Sequence, residues 1–191
     1  MTSSVKIAAI LIALTAASCG KQCLAASATP SDRAALTLAV DQLCHWSGMT
    51  RRSDLSKIER LSADARWRYT AEADLVVDGK PKHYRLGFDA AFRVMHFTSG
   101  YPAAGQTLGE DTLKDRRLRR MCVQAVARLN KGLGWKSAVG PYIQRVGSGF
   151  LVTFETVTAE EQKRAKYEFL DPYVSFVVTP KGTVFGGFWG A

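Results

Sequence analysis

Arg66-Trp-Arg-Tyr-Thr-Ala-Glu-Ala-Asp-Leu-Val-Val-Asp78 is the stretch that decides the fold. Trp67, Tyr69, Ala71, Ala73, Leu75 and Val77 alternate with Arg66, Arg68, Thr70, Glu72, Asp74 and Asp78, and Val76 is the single exception. Successive side chains of a strand point to opposite faces. A period of two sustained over this length therefore predicts a long antiparallel strand with one face on a core and one in water. Asp78-Gly79-Lys80-Pro81 is a turn. The partner strand is expected over His83–Phe97, with Tyr84, Leu86, Phe88, Phe92 and Val94 on one side. That is long for one strand, so a bend near Gly87 or a break at Asp89-Ala90 is expected.

Working outward, Leu36, Ala39, Val40, Leu43 and Cys44 recur at three-to-four spacing and predict a helix over Ser31–Trp46 that ends at Gly48. Pro30-Ser31-Asp32 supplies its cap, with the acid at the positive end of the helix dipole. A second, short helix is expected over Asp54–Leu61, capped by Ser53. Ser99–Gly109 reads as a loop. Leu118, Met121, Cys122, Ala125, Val126 and Leu129 predict a further helix over Leu113–Lys131 that stops at Gly132. Thr112 with Asp115 imitates its capping box, and Glu110 and Asp111 sit at its positive end. Strands follow at Tyr142–Val146 and Phe150–Val157. Beyond a charged connector, Ala159–Lys166, come Tyr167–Leu170, Tyr173–Thr179 and Thr183–Trp189, the last two joined by the Pro180-Lys181-Gly182 turn.

The order is helix, strands, helix, strands, so the fold class is α+β, a helix followed by an antiparallel meander occurring twice. Across residues 31–189 this order resembles tandem cystatin-like units, as in PepSY-type domains and the secreted β-lactamase-inhibitor proteins. It also resembles a single nuclear-transport-factor-like cone. The resemblances imply helices laid across a curved sheet. The expected divisions are 1–28 as signal and short tether, 29–109 as the first half and 110–191 as the second, with one joint domain as the alternative.

The chain has 191 residues, 47% hydrophobic and 23% charged, with 16 Gly and 6 Pro, which excludes a disordered or collagenous protein. Lys6 precedes the apolar run Ile7–Leu14, which continues through small residues to Ser18. The run is too short to span a bilayer and reads as an export signal. Thr15-Ala-Ala-Ser-Cys19-Gly resembles the lipobox of bacterial lipoproteins, with Ala16 standing where Leu is usual. The resemblance implies lipidation at Cys19 and a protein held at the cell envelope or periplasm. A conventional cut near Ala26-Ser-Ala28 is the other reading. Removal of residues 1–28 takes away Lys6 and Lys21 and no acid, which leaves 24 cations against 17 acids. Cys44 and Cys122 are then the remaining thiols. In an oxidising compartment they are expected to pair in one disulfide; two buried free thiols are the alternative.

No nucleophile elbow, zinc-protease motif, phosphate loop or dinucleotide fingerprint is present. Cys44 and His45 adjoin in sequence, but neighbours on a helix point about 100° apart and make no thiol–imidazole pair. His83 and His96 are expected at opposite ends of one strand, too far apart for a shared metal, so no metal or cofactor is expected. Glu72 and Asp74, with Asp89 on the neighbouring strand, are the candidates for acid–base work, although the alternation places the first two in water. The run Lys114–Arg120 is the strongest charge feature. Arg116, Arg117, Arg120, Gln124, Arg128 and Lys131 form one polar stripe opposite the buried one, crowding cations where the helix dipole opposes them. That pattern points to an anionic partner or lipid head groups, with a solvated face on a basic protein as the other reading, and export argues against nucleic acid. Trp189, in Gly186-Gly-Phe-Trp-Gly190, is read as closing the core or anchoring a partner. The expected function is a non-enzymatic binding protein for a protein or an anionic envelope component. An inhibitor or immunity protein and a small acid–base enzyme are the alternatives.

Overall fold

A computed structural model of the chain describes residues 26–62, 65, 67–100, 113–134, 139–155 and 173–189. In order these form β1 (Ala26–Ser27), α1 (Pro30–Ser47), β2 (Thr50–Arg51), β3 (Ser56–Arg60), β4 (Tyr69–Val77), β5 (Lys80–Phe88), β6 (Val94–Thr98), α2 (Arg116–Leu133), β7 (Val139–Val146), β8 (Gly149–Glu155), β9 (Tyr173–Val178) and β10 (Val184–Trp189). The α+β architecture with a helix and a meander in each half is as expected.

β4 is the alternating stretch, and its burial alternates as the sequence does, from Tyr69 to Val77. It pairs residue for residue with β5, Ala71 opposite Leu86, Glu72 opposite Arg85 and Asp74 opposite His83. The long partner strand breaks at Asp89. Its carboxylate accepts from the backbone N–H groups of Ala91 and Arg93, each at 2.9 Å, and turns the chain back into β6. His96 therefore lies opposite Gly87 rather than at the far end of a straight strand.

α1 is capped one residue earlier than expected. Thr29 accepts from the Asp32 N–H, and Asp32 in turn accepts from the Thr29 N–H, leaving Pro30 at the first helical position. The expected short helix at 54–61 is instead β3. Leu55, Ile58 and Leu61 recur every third residue and imitate a helical stripe, but the segment lies along the open edge of β4. It pairs Glu59 with Thr70 and Arg60 with Tyr69, and a register shift follows Ser56, where Lys57 takes a left-handed φ of 45°. α2 begins at Arg116, with Asp115 accepting from the N–H groups of Arg117 and Leu118. It ends on Gly134, whose left-handed N–H reaches the Asn130 carbonyl. The expected terminator Gly132 lies inside the helix. A Cβ there would meet the Trp46 indole at 2.2 Å, so this glycine lets α1 and α2 close on each other. Thr112, Glu110, Asp111 and the Tyr167–Leu170 strand lie outside the described residues.

The strands form one sheet in the order β1-β3-β4-β5-β6-β10-β9-β8-β7, with β2 pairing β4 beside β3. The two halves meet at β6–β10, where Phe97 lies opposite Gly187 and His96 opposite Phe188. A Cβ on Gly187 would meet the Phe97 ring at 2.6 Å and Phe176 at 3.2 Å, so the bare backbone makes room for the two rings that join the halves. Leu36, Val40 and Leu43 of α1, Val126 and Leu129 of α2, and Phe88, Phe97 and Phe176 of the sheet belong to one buried cluster. The two halves thus share one buried cluster. Among the described residues no helix is long and apolar enough to cross a membrane.

Candidate functional site

Between Arg116 and Leu133, α2 carries Arg116, Arg117, Arg119, Arg120, Arg128 and Lys131 and no acid. Cys122, Ala125, Val126, Leu129 and Leu133 are buried beneath it, so the stripe read from the sequence is the outer face of the helix. Arg116, Arg117, Arg120, Gln124, Arg128 and Lys131 are all exposed. The structure divides their tasks. Arg128 turns to α1 and donates to the Trp46 carbonyl at 3.0 Å, satisfying an acceptor at the C-terminal end of that helix. Arg119, half-buried, donates to the Pro141 carbonyl and holds α2 against β7. Among the described residues no carboxylate lies within ion-pair range of Arg116, Arg117 or Arg120. Asp115, the nearest acid in sequence, spends one oxygen on the helix cap. Three uncompensated guanidinium groups within two turns of a helix N-terminus repel one another and the dipole, and an external anion relieves both costs.

Lys131, at the other end of the stripe, lines an open groove of about 450 Å³ together with Ala35, Leu38 and Ala39 of α1, Leu133 and the β5–β6 turn. Leu38 is 61% exposed, off the buried stripe of its helix. Phe92 forms one wall in a left-handed conformation, φ 60°, its ring stacked on Tyr69 at 5.0 Å. Asp89 holds that strained turn and pairs with Arg93 at 2.6 Å. A second shallow groove, lined by Ala34, Thr37 and Leu55, lies on the other flank of Leu38.

The candidate acid–base carboxylates lie elsewhere. Glu72 and Asp74 are on the sheet face turned away from the core, joined by His83. Its Nδ1 is 2.9 Å from Asp74 and its Nε2 is 3.0 Å from Glu72. Lys57 lies 2.8 Å from Glu72, and Arg85 lies 3.8 Å from it. The hydrogen bond from Lys57 holds the Glu72 carboxyl below its ordinary range, and bonding to Asp74 and Glu72 raises the His83 imidazole. A lowered carboxyl with a cation bound to it is a poor proton acceptor. Asp89 is in the β5–β6 turn and does not join this group. The imidazole sits between the two carboxylates and does not converge with them on a point. Among the described residues no group of three or more His, Cys, Asp or Glu is placed to hold a metal ion.

The expected disulfide is not formed. Cys44 and Cys122 are free and buried, each under its own helix, and burial pushes both thiols up to about 11. Both belong to the shared core cluster, where each packs as a small hydrophobe. His45, next to Cys44, is exposed and turns its ring edgewise to Trp46, so no thiol–imidazole pair exists. Cys19 and the side chain of Trp189 lie outside the described residues. Sequence reasoning missed Leu38 and the groove beside it. The available signal was a leucine between Leu36 and Val40 that breaks the helical stripe.

No family model and no curated protein sequence matches the chain. Among solved structures, the C-terminal domain of Bacillus megaterium YpeB is similar to 79% of this chain, with 9% identity and a TM-score of 0.45. The match covers 61% of that chain, so this protein spans less than two thirds of its length.

Proposed function

We propose that this chain is an exported, membrane-tethered binding protein without enzymatic activity, and that it recognises an anionic envelope component through the outer face of α2. The observation that carries the reading is the helix itself, six cations and no acid, with Arg116, Arg117 and Arg120 exposed and, among the described residues, without a carboxylate in ion-pair range. The lipobox-like Thr15–Gly20 segment supports the tether, with Cys19 as the lipidated residue. The paired, charge-stabilised state of Glu72 supports a non-enzymatic role.

Retention on immobilised dextran sulfate tests the reading. Arg116→Ala/Arg117→Ala/Arg120→Ala should elute at clearly lower salt than the parent. A control of equal net charge, Lys80→Gln/Arg85→Gln/Lys181→Gln, should elute close to it. Equal shifts in the two triples would show that only the overall charge matters and would overturn the proposal. For the tether, metabolic labelling with a lipid precursor should mark the parent and spare Cys19→Ala.

A further inference from the structure

The uncompensated arginines and the exposed leucine belong to one surface. α1 and α2 touch where Trp46 lies over Gly132, and Leu38 and Lys131 line the same groove. We infer that this helical surface docks on an anionic lipid bilayer, with Arg116, Arg117, Arg120 and Lys131 facing lipid phosphates and Leu38 entering the interfacial region. The inference rests on the proposed anionic reading and names its component as membrane lipid.

Three observations carry it. The first is charge complementarity. The stripe runs from Arg116 to Lys131, about 22 Å of helix, and presents its cations along a line, which suits a sheet of phosphates better than a single small anion. Four described acids of the two helices and their flanks are engaged. Asp32 closes the α1 cap, Asp41 and Asp54 are bound by Arg51, and Asp115 closes the α2 cap. The second is Leu38. It is the most exposed of the large hydrophobic side chains among the described residues, flanked by grooves on both sides, and therefore projects as an apolar knob. Basic residues around a projecting apolar side chain are the composition of surfaces that settle into the headgroup boundary. The third is where the chain enters the fold. Six residues separate Cys19 from Ala26, so the seven Cα-to-Cα steps reach at most about 25 Å when extended. Leu38 lies about 12 Å along α1 from Pro30. A lipid on Cys19 would thus hold this end of α1 beside the bilayer, and the helical surface would add electrostatic attachment to the anchor.

Vesicle co-sedimentation tests the inference on the full chain carrying Cys19→Ser, so that no acyl group contributes and residues 1–25 are common to every variant. The parent should bind phosphatidylcholine vesicles containing phosphatidylglycerol at least about tenfold more tightly than vesicles of phosphatidylcholine alone. The triple alanine variant of Arg116, Arg117 and Arg120 should lose binding to the anionic vesicles by roughly 100-fold. Leu38→Ser, an exposed change that leaves the core untouched, should weaken the same binding about tenfold while leaving dextran sulfate retention unchanged. Retention on dextran sulfate with equal binding to both vesicles would overturn the bilayer inference and leave the anionic reading standing. Loss of both would overturn the two together. Anionic vesicle binding indifferent to Leu38→Ser would overturn the docking orientation.

Discussion

The two halves of the molecule repeat one plan, a helix over a meander, yet they keep their charge on different layers. In the first half α1 holds two acids, one arginine and a histidine, and the ion network of Lys57, Glu72, His83, Asp74 and Arg85 lies on the strands. In the second half most of the described cations stand on α2. The strand face away from the helices is buried, with Leu151, Val177, Thr153 and Ser175 nearly inaccessible and the two hydroxyls bonded to each other at 3.1 Å. A strand face in water tolerates paired charges at little cost, whereas a buried one requires apolar or mutually satisfied groups. The second half therefore has its helix as the surface on which charge can be placed. The lesson is that the repeated element order sets the shape and the distribution of water sets the chemistry.

The comparison breaks most severely at the seam. Phe97→Ala should destabilise the protein by about 3–5 kcal/mol, because its ring fills the space over Gly187 against Phe176. Urea unfolding followed by far-ultraviolet circular dichroism and by tryptophan fluorescence should give coincident transitions. Two separated transitions would show that the halves fold independently despite the shared sheet.

The buried thiols sharpen the comparison at the level of each half. Denatured, unreduced protein should show both Cys44 and Cys122 reacting with a thiol reagent. The folded protein at pH 8 should shield them, since burial holds both up at about 11. Cys122→Ser places a hydroxyl in the α2 core and should cost about 1–3 kcal/mol in denaturant midpoint experiments. Two thiols that react only after reduction would restore the bridge.

Gly132→Ala probes the contact between the helices. Alanine is intrinsically the better helix former by about 1 kcal/mol, yet its Cβ would run into the Trp46 ring, so a net loss of about 1–2 kcal/mol is expected. A gain in stability would mean that α1 and α2 can part without cost.

The smallest effect belongs to the strand-face network of the first half. The folded-state pKa of His83 is raised above its ordinary 6.5 by Asp74 and Glu72. Its stabilising contribution is therefore complete below the ordinary value and is lost as pH rises through the folded one. The side chain is 56% exposed, so the difference between the parent and His83→Gln should be about 0.2–1 kcal/mol at pH 6 and near zero at pH 9, read from urea midpoints. A difference independent of pH would show that the imidazole packs there without sharing its proton.

Much of this was legible in the residues. The alternation from Trp67 to Val77, the stripes through Leu36–Cys44 and Leu118–Leu129, and the cationic face of α2 are local patterns, and the structure realises each. The candidate site was half legible. Arg116, Arg117 and Arg120 stand where the helical projection places them, while Arg128 is diverted to the Trp46 carbonyl and Leu38 went unnoticed. The short segment 54–61 read as a helix because its apolar spacing satisfies that period, and β4 nearby makes it a strand.

The sequence by itself determined α1, α2 and β4, because a period of two or of three to four sustained over about a dozen residues is set by positions close to one another. Tertiary structure alone decided how the elements meet: the β6–β10 seam, the Trp46 indole over Gly132, the burial of Cys44 and Cys122 as free thiols, and the pairing of His83 with two carboxylates. Each depends on atoms brought together by the completed sheet and helices, and a local period does not encode which distant residue will fill a given space.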